Sequence, residues 1–223
     1  GGMTHQAIED ISVMRSMPNM TILETGDATE VESICEAADS IDGPVYCRVL
    51  RGSIPRLFDT PIVVGQMREL SLGSDVLIVT AGITTEEALR ATKALEASGV
   101  SLRHLHLNTI KPFNAQAMLD HINSVRGGVI TLENHVTEGG IGSLVAEIMA
   151  DHGTGKKLKR LGLKDTYAHG GSRAYLMRYY GLDALALTQG VEGLLGQKLD
   201  ITEQDLAEAR VDAVHSLAKA EGL

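Results

Sequence analysis

Short apolar segments alternate with amphipathic ones through the second part of this chain, and this alternation limits the possible folds more than any other feature. Val76–Thr80, Leu102–Leu107 and Gly128–Leu132 have the length and composition of buried strands. Thr85–Ala97 and Asn114–Asn123, which follow the first two of these strands, have the pattern of helices. Strands that alternate with helices of this length indicate parallel βαβ units. We therefore predict an α/β fold with a parallel sheet.

The alternation continues toward the end of the chain. A third helix is predicted over Gly139–Ala150, and Leu158–Leu161 is predicted to form a fourth strand. The remaining residues are predicted to be helical, and their final apolar face consists of Leu206, Ala209, Ala213 and Leu217.

The first part of the chain has elements of the same kind, but too few to form a complete domain. The predicted elements are a helix that ends before Pro18, a strand over Met20–Leu23, a helix capped by Asp27 or Thr29, and a strand over Pro44–Leu50. So few elements cannot cover both faces of a parallel sheet. Between the two parts, residues 54–62 contain two prolines and no periodic pattern, which indicates a linker. We predict an incomplete domain over residues 1–53 and a second domain over residues 63–223.

Charge and composition exclude several classes of protein. The net charge is -9 and the basic residues are scattered, which argues against a nucleic-acid partner or an anionic membrane surface. No apolar stretch approaches the roughly 20 residues that span a bilayer. The two cysteines form neither a CxxC motif nor a disulfide framework, so we expect a reducing compartment and a cytoplasmic location.

His5 is the first candidate for a catalytic residue. It is placed in the first turn of the first predicted helix, where the positive end of the helix dipole favours the neutral imidazole. A neutral imidazole can donate a hydrogen bond to a carbonyl or hydroxyl oxygen of a substrate. The alternative is that His5 only caps or packs against the helix start.

Arg51 is the candidate for substrate binding. It follows the strand predicted over Pro44–Leu50, and ligands of α/β sheets generally bind at the carboxyl ends of strands. Its guanidinium could bind a phosphate in bidentate fashion. The alternative is a solvated surface arginine. Arg48 is placed inside the strand and Arg56 in the linker.

Three other groups of residues are weaker candidates. The loop from Glu133 to Ser143 is rich in glycine and enters a helix, as phosphate-binding loops do, but it lacks GxGxxG. We favour a role for its glycines in a sharp turn and close packing, which leaves Glu133 and His135 as weak site candidates. His104 and His106 share one strand face without a third metal ligand nearby, so a zinc site is not favoured. His169 is interpreted as a turn residue.

A series of short segments, taken in order, carries a family resemblance. They are Thr4–Asp10 (THQAIED), Met14–Met20 (MRSMPNM), Gly43–Val45, Leu50–Gly52, Pro55, Thr109–Phe113, Thr131–His135, Gly139–Ser143, Asp165–Tyr167 and Tyr180–Leu182. The chain resembles the C-terminal half of transketolase, and the similarity extends to about residue 190. The THQ and MPNM segments together are the most specific part of it.

This resemblance implies a fold and an activity. The first part would be the tail of the pyrimidine-binding domain, and the second would be a Rossmann-like, three-layer αβα C-terminal domain. His5 would correspond to the family's active-site histidine, and Arg51 to the arginine that binds the sugar phosphate. The implied reaction transfers a two-carbon ketol unit from a ketose to an aldose with thiamine diphosphate and Mg²⁺. The implied partner is an N-terminal section or subunit, in a homo-dimer or hetero-tetramer.

The chain also departs from the family pattern. In the family, the catalytic glutamate and the aromatic pocket for the pyrimidine lie upstream of the THQ segment, and the Gly-Asp-Gly motif belongs to the N-terminal section. In addition, Thr25-Gly26-Asp27 stands where Pro-Ala-Asp is common. We therefore expect this chain to be a fragment that binds no thiamine diphosphate by itself.

Three alternatives remain open on the sequence. Deoxyxylulose phosphate synthase shares the Thr-His start and an ending similar to His169-Gly170, although Gln6–Asp10 favours transketolase. The E1 β subunit of 2-oxo acid dehydrogenases has a related C-terminal domain but fits the THQ and MPNM segments less well. A non-catalytic assembly or regulatory domain is the third.

Overall fold

The computed structural model describes residues 3–50 and 52–209. The first part begins with a short 3-10 turn at Met3–His5. It continues with α1 (Asp10–Arg15), β1 (Thr21–Glu24), α2 (Ala28–Asp39) and β2 (Val45–Arg48). Asp27 caps α2, since its side chain accepts a hydrogen bond from the Glu30 amide.

The second part alternates strands and helices before it ends in helices. Its elements are β3 (Met67–Leu72), β4 (Val76–Thr80), α3 (Thr84–Ala97), β5 (Leu102–Leu107), β6 (Thr109–Lys111), α4 (Ala115–Asn123), β7 (Gly128–Val136), α5 (Ile141–Asp151), β8 (Leu158–Leu163), α6 (Arg173–Tyr179), α7 (Ala184–Leu195) and α8 (Glu203–Glu208). No helix in this described part of the chain has the length and apolar character needed to cross a membrane.

The main sheet has five strands in the order β3-β5-β4-β7-β8. Strands β4, β5, β7 and β8 are parallel, with Ile78 opposite His104 on one side and Ile130 on the other. Strand β3 was not predicted; it joins the edge antiparallel to β5. The predicted α/β fold with a parallel sheet is confirmed.

Two cores cover the two faces of this sheet. Val76 and Ile78 of β4 face a core shared with α3 and α7, whereas Leu77 and Val79 face a core shared with α4 and α5. This alternation is the period of two that a strand imposes on its side chains. The result is the three-layer αβα arrangement. Ile11 of α1 packs into the second core, whereas Ile8, just before α1, packs into the first core, so the start of the chain contacts both cores.

A second sheet joins the two parts of the chain. Its order is β2-β1-β6, with β1 and β2 parallel and β6 antiparallel to β1. Strand β6 was not predicted, and it comes from the second part, where Thr109 lies opposite Leu23. One strand therefore extends across the predicted domain boundary into the sheet of the first part.

Hydrogen bonds attach the predicted linker to the start of α2. The Leu57 and Phe58 amides donate to Asp27 Oδ2 at 2.9 and 2.8 Å, and Thr29 Oγ1 donates to the Phe58 carbonyl at 2.6 Å. Phe58 is buried. The segment has no regular secondary structure, but these hydrogen bonds attach it to the start of α2.

Candidate functional site

The carboxyl ends of strands from both sheets meet at a buried polar cluster. Glu24 ends β1, Arg48 ends β2, and Asn134 lies near the end of β7. Asp10, the first residue of α1, completes the group. We call these four residues the Arg48 cluster. The edge where ligands of α/β sheets usually bind is here filled by the protein's own side chains.

Arg48 bonds to each of the other three members. Its Nε donates to Asp10 Oδ2 at 2.9 Å, and its Nη1 donates to Glu24 Oε1 and to Asn134 Oδ1. Its Nη2 donates to the Ala7 carbonyl at 2.7 Å and to the Asn134 carbonyl at 3.1 Å. Only 9% of the Arg48 side chain is exposed. The guanidinium thus joins α1, β1 and β7 to the segment that follows His5.

Opposite charges hold this arginine in its charged form. Burial acts to lower the pKa of Arg48, but attraction by Glu24 and Asp10 outweighs it, and the pKa is raised above its ordinary value. Burial and a hydrogen bond to Asp10 raise the pKa of Tyr46 to about 12. Gly82 has a φ of +59°, and a Cβ there would lie 2.4 Å from Glu24 Oε1. A side chain at position 82 would therefore displace the carboxylate.

Glu133 occupies the start of α5. Its Oε2 accepts from the Ile141 amide at 2.8 Å, and its Oε1 accepts from the Gly142 amide at 2.9 Å. A Cβ at Gly140 would lie 2.0 Å from Glu133 Oε2. The two amides that a phosphate would use are thus bound to an internal carboxylate, and the glycine permits close packing. The loop does not form a phosphate cradle.

His135 links this loop to α1. Its Nδ1 lies 2.7 Å from the Val136 carbonyl, so Nδ1 carries the proton, and its Nε2 accepts from the Ser12 amide at 3.4 Å. Burial lowers the pKa of His135, which favours the neutral ring. This histidine is a structural connector.

The raised pKa of Glu133 predicts that the free energy of unfolding depends on pH. Burial raises its pKa from 4.5 to about 7, although the two amides act against this. The folded protein therefore binds the proton of the Glu133 carboxyl group more tightly than the unfolded chain does. The contribution of Glu133 to stability falls as the pH rises from 4.5 to about 7. We expect the free energy of unfolding of the wild type, relative to that of Glu133→Gln, to fall by about 3 kcal/mol between about pH 4.5 and pH 8.

Urea titrations at several pH values would measure this difference. The subtraction removes the opposite trend of residues such as His104, whose pKa burial lowers to about 3. Glu36→Gln, at an exposed position on α2, should show no comparable slope. A flat difference curve for Glu133→Gln would contradict the raised pKa.

The strand histidines are bonded to other protein groups, and His106 connects the two parts of the chain through Glu30. His106 Nε2 lies 2.9 Å from Glu30 Oε2, and its Nδ1 lies 2.7 Å from Thr85 Oγ1. His104 Nε2 lies 3.0 Å from Thr80 Oγ1. Burial acts to raise the pKa of Glu30, but His106, the Gly26 amide and Arg68 lower it to about 2. Within residues 3–50 and 52–209, no group of three or more His, Cys, Asp and Glu side chains is placed to hold a metal ion.

His5 lies outside α1, contrary to the expectation that it begins a helix. The helix begins at Asp10 because the Ile8 carbonyl accepts from the Val136 amide, and the Ser12 amide donates to His135 instead of to Ile8. The argument from the helix dipole therefore does not apply. The His5 side chain is exposed, and no other residue of the described chain forms a hydrogen bond or ion pair with it. It is free to contact another molecule.

Arg51 lies outside the described residues, so its role stays a prediction. His169 is exposed, and its Nδ1 lies 2.9 Å from the Tyr180 hydroxyl. Arg48 and Asp10 were not predicted to form a site, but the structure brings them together. One signal could have found them: an arginine within the apolar segment Val45–Leu50 needs buried acceptors, and Glu24 directly follows the strand predicted over Met20–Leu23.

A family model described as "Transketolase, C-terminal domain" matches residues 65–187, which is more than half of the chain. This chain belongs to the transketolase C-terminal domain family. Among solved structures, this transketolase-family chain is similar to one described as a split gene transketolase, an inactive β4 tetramer. The TM-score is 0.79 at 34% identity, over 88% of this chain and 64% of that one.

Two curated relatives show how this transketolase-family chain compares with longer proteins. It is 33% identical to a 6-deoxy-6-sulfo-D-fructose transketolase subunit of Clostridium sp. (strain MSTE9), over 88% of the chain and 61% of the relative. It is also 34% identical to 1-deoxy-D-xylulose-5-phosphate synthase 1 of Geobacter sulfurreducens, over 88% of the chain and 32% of the relative. The chain therefore spans about three fifths of the transketolase subunit and about a third of the synthase.

Proposed function

We propose that this chain is the C-terminal section of a thiamine-diphosphate-dependent transketolase. Together with an N-terminal section, it transfers a two-carbon ketol unit from a ketose, or its phosphate, to an aldose, or its phosphate. The observation that carries the proposal is the family match over residues 65–187, in a chain whose exposed His5 lies in a THQ segment and has no hydrogen-bond or ion-pair partner among the described residues. His5 would donate a hydrogen bond to an oxygen of the donor sugar. Arg51 would bind the sugar phosphate.

The described residues of this chain do not fit thiamine diphosphate and Mg²⁺ by themselves. The amides at the start of α5 are bound to Glu133, and the guanidinium of Arg48 is fully engaged. Among the described residues there is also no group suited to a metal ion. We therefore propose that the N-terminal section holds the cofactor's diphosphate and metal.

A partner subunit is consistent with the relatives. The Clostridium relative is named as a transketolase subunit, and the similar solved structure is described as inactive in a β4 tetramer. We propose that this chain acts only with the N-terminal section, in a homo-dimer of the complete enzyme or a hetero-tetramer of two sections.

Reconstitution tests this proposal. The complete C-terminal section that contains this chain is mixed with the N-terminal section, thiamine diphosphate and Mg²⁺. We expect ketol transfer from a ketose donor in the mixture and none from either section alone. The absence of transfer from every ketose tried would reject the proposal.

Deoxyxylulose phosphate synthesis is the second candidate, because the similarity to the Geobacter synthase covers 88% of the chain. Pyruvate and glyceraldehyde phosphate replace the ketose and aldose in this assay. Product formation from this pair, with none from a ketose donor, would favour the synthase.

Arg51→Ala tests the phosphate-binding role in the reconstituted enzyme. Loss of a charge-assisted hydrogen bond to phosphate should raise the KM for a phosphorylated aldose about 10- to 100-fold. The KM for the matched unphosphorylated aldose should change little. Arg126→Ala removes an arginine whose side chain is 76% exposed and serves as the control. An equal loss with both sugars would contradict the assignment.

A further inference from the structure

Arg48 has no donor left for a substrate. A guanidinium carries five N–H groups, and each of those of Arg48 has an acceptor in the protein. Arg48 lies only three residues before Arg51 in the sequence, but it cannot share a phosphate-binding role while these bonds are formed. Its contribution must come through the groups that it holds.

One of those groups belongs to the segment that carries His5. The Ala7 carbonyl, two residues after His5, accepts from Arg48 Nη2 at 2.7 Å. The next carbonyl, of Ile8, accepts from the Val136 amide at 2.8 Å, and the Ile8 side chain is buried. These contacts fix the backbone immediately after an exposed histidine that has no anchor of its own in the described chain.

The guanidinium of Arg48 also fixes the segment after His5 relative to both sheets. Glu24 and Arg48 end the parallel strands of the smaller sheet, and Asn134 belongs to a strand of the main sheet. Because Asn134 accepts through both its side chain and its carbonyl, the fork of Arg48 has a single orientation. A compact ammonium could not reach all these acceptors at once.

We propose that Arg48 is a positioning residue for the ketol-transfer reaction. It sets the place of the His5 imidazole by holding the Ala7 carbonyl against the ends of both sheets. This inference rests on the proposed function. It assigns a role to a residue that touches neither substrate nor cofactor.

Amide hydrogen exchange tests whether Arg48 fixes the backbone after His5, and the measurement does not require an active enzyme. In Arg48→Lys, the peptide that spans residues 4–12 should exchange faster than in the wild type. Peptides from β4 and β5, in the centre of the main sheet, should exchange at the wild-type rate. Arg126→Lys, at an exposed position that pairs with Asp75, should leave both regions unchanged. Unchanged exchange at residues 4–12 in Arg48→Lys would overturn the proposal.

Kinetics of the reconstituted enzyme test the catalytic consequence. A displacement of His5 by about 1 Å should lower kcat about 100-fold, while the KM for the aldose phosphate changes little. A merely structural arginine would lower the concentration of active enzyme without changing kcat per folded active site. Active sites are therefore counted by single-turnover amplitude. Wild-type kcat together with accelerated exchange at residues 4–12 would also overturn the proposal.

A second variant shows whether the effects of replacing Arg48 arise from misfolding. Removal of Arg48 leaves buried carboxylates at Asp10 and Glu24, and this could unfold the chain. In the triple variant Arg48→Met, Asp10→Asn, Glu24→Gln, no buried charge remains in the cluster. We expect the same faster exchange and the same lower kcat in this variant. If the triple variant were folded and behaved as the wild type in both measurements, the proposal would be wrong.

The two proposals fail in different ways. A wild-type complex without ketol transfer would reject the proposed function, and with it the catalytic role of Arg48. The exchange experiment would still decide whether Arg48 holds the segment after His5.

Discussion

His5→Ala is expected to lower the kcat of the reconstituted enzyme about 100- to 1,000-fold, which is the usual cost of removing one preorganised hydrogen-bond donor to a developing charge. The imidazole is exposed and makes no hydrogen bond within the described chain, so its bonding capacity is available to a substrate. For the same reason, the substitution should leave the free energy of unfolding unchanged. Steady-state kinetics and a urea titration would measure the two quantities.

His152→Ala is the matched control for this experiment. His152 is also exposed, and it lies at the end of α5, where its Nδ1 contacts the Ile148 carbonyl. Its removal should not change kcat. If His5→Ala retained the wild-type kcat, His5 would have no catalytic role, and the exposed imidazole would be an ordinary surface residue.

Asp27→Ala is expected to lower the free energy of unfolding by about 3 to 5 kcal/mol, because two buried amides and one partly buried amide lose their acceptor. Asp27 is fully buried. Its Oδ1 accepts from the Glu30 amide at 2.8 Å, and its Oδ2 accepts from the amides of Leu57 and Phe58. One carboxylate therefore caps α2 and also fastens the segment between the two parts of the chain.

Two variants sharpen this test by urea titration. Asp39→Ala removes an exposed carboxylate from the other end of α2 and should change stability very little. Asp27→Asn keeps one acceptor oxygen of the same shape and should fall between the wild type and Asp27→Ala. A loss below about 1 kcal/mol for Asp27→Ala would show that water or local rearrangement replaces the missing acceptor.

The sequence predicted the strongly patterned elements of the main sheet. Strands β4 and β5 have the predicted bounds, and α3 begins one residue before its predicted start. These segments are apolar enough to be recognised without knowledge of their neighbours. Strand β3 was missed because it is an edge strand, and most of its side chains are half-buried. Strand β6 was missed because three residues form a strand only when β1, from a distant segment, lies beside them.

The site was harder to predict than the main sheet because, like β6, it depends on contacts between segments that are distant in the sequence. The start of α1 depends on Val136 and His135, which are more than 100 residues away. The Val136 amide donates to the Ile8 carbonyl, and His135 accepts from the Ser12 amide, so these two groups do not bond to each other. Arg48 was placed inside its predicted strand, whereas the strand ends at this residue, and the acceptors of Arg48 come from three other elements. Local pattern gives no information about such contacts. His5 remains a candidate through its exposure and its family resemblance.

Calorimetric titration of thiamine diphosphate in the presence of Mg²⁺ tests most directly whether this chain forms only part of a cofactor site. The ligand is titrated into this chain alone, into the N-terminal section alone, and into the mixture of the complete sections. We expect saturable binding in the mixture and none in this chain alone. Tight binding by the isolated chain would contradict the central claim that another polypeptide completes the site.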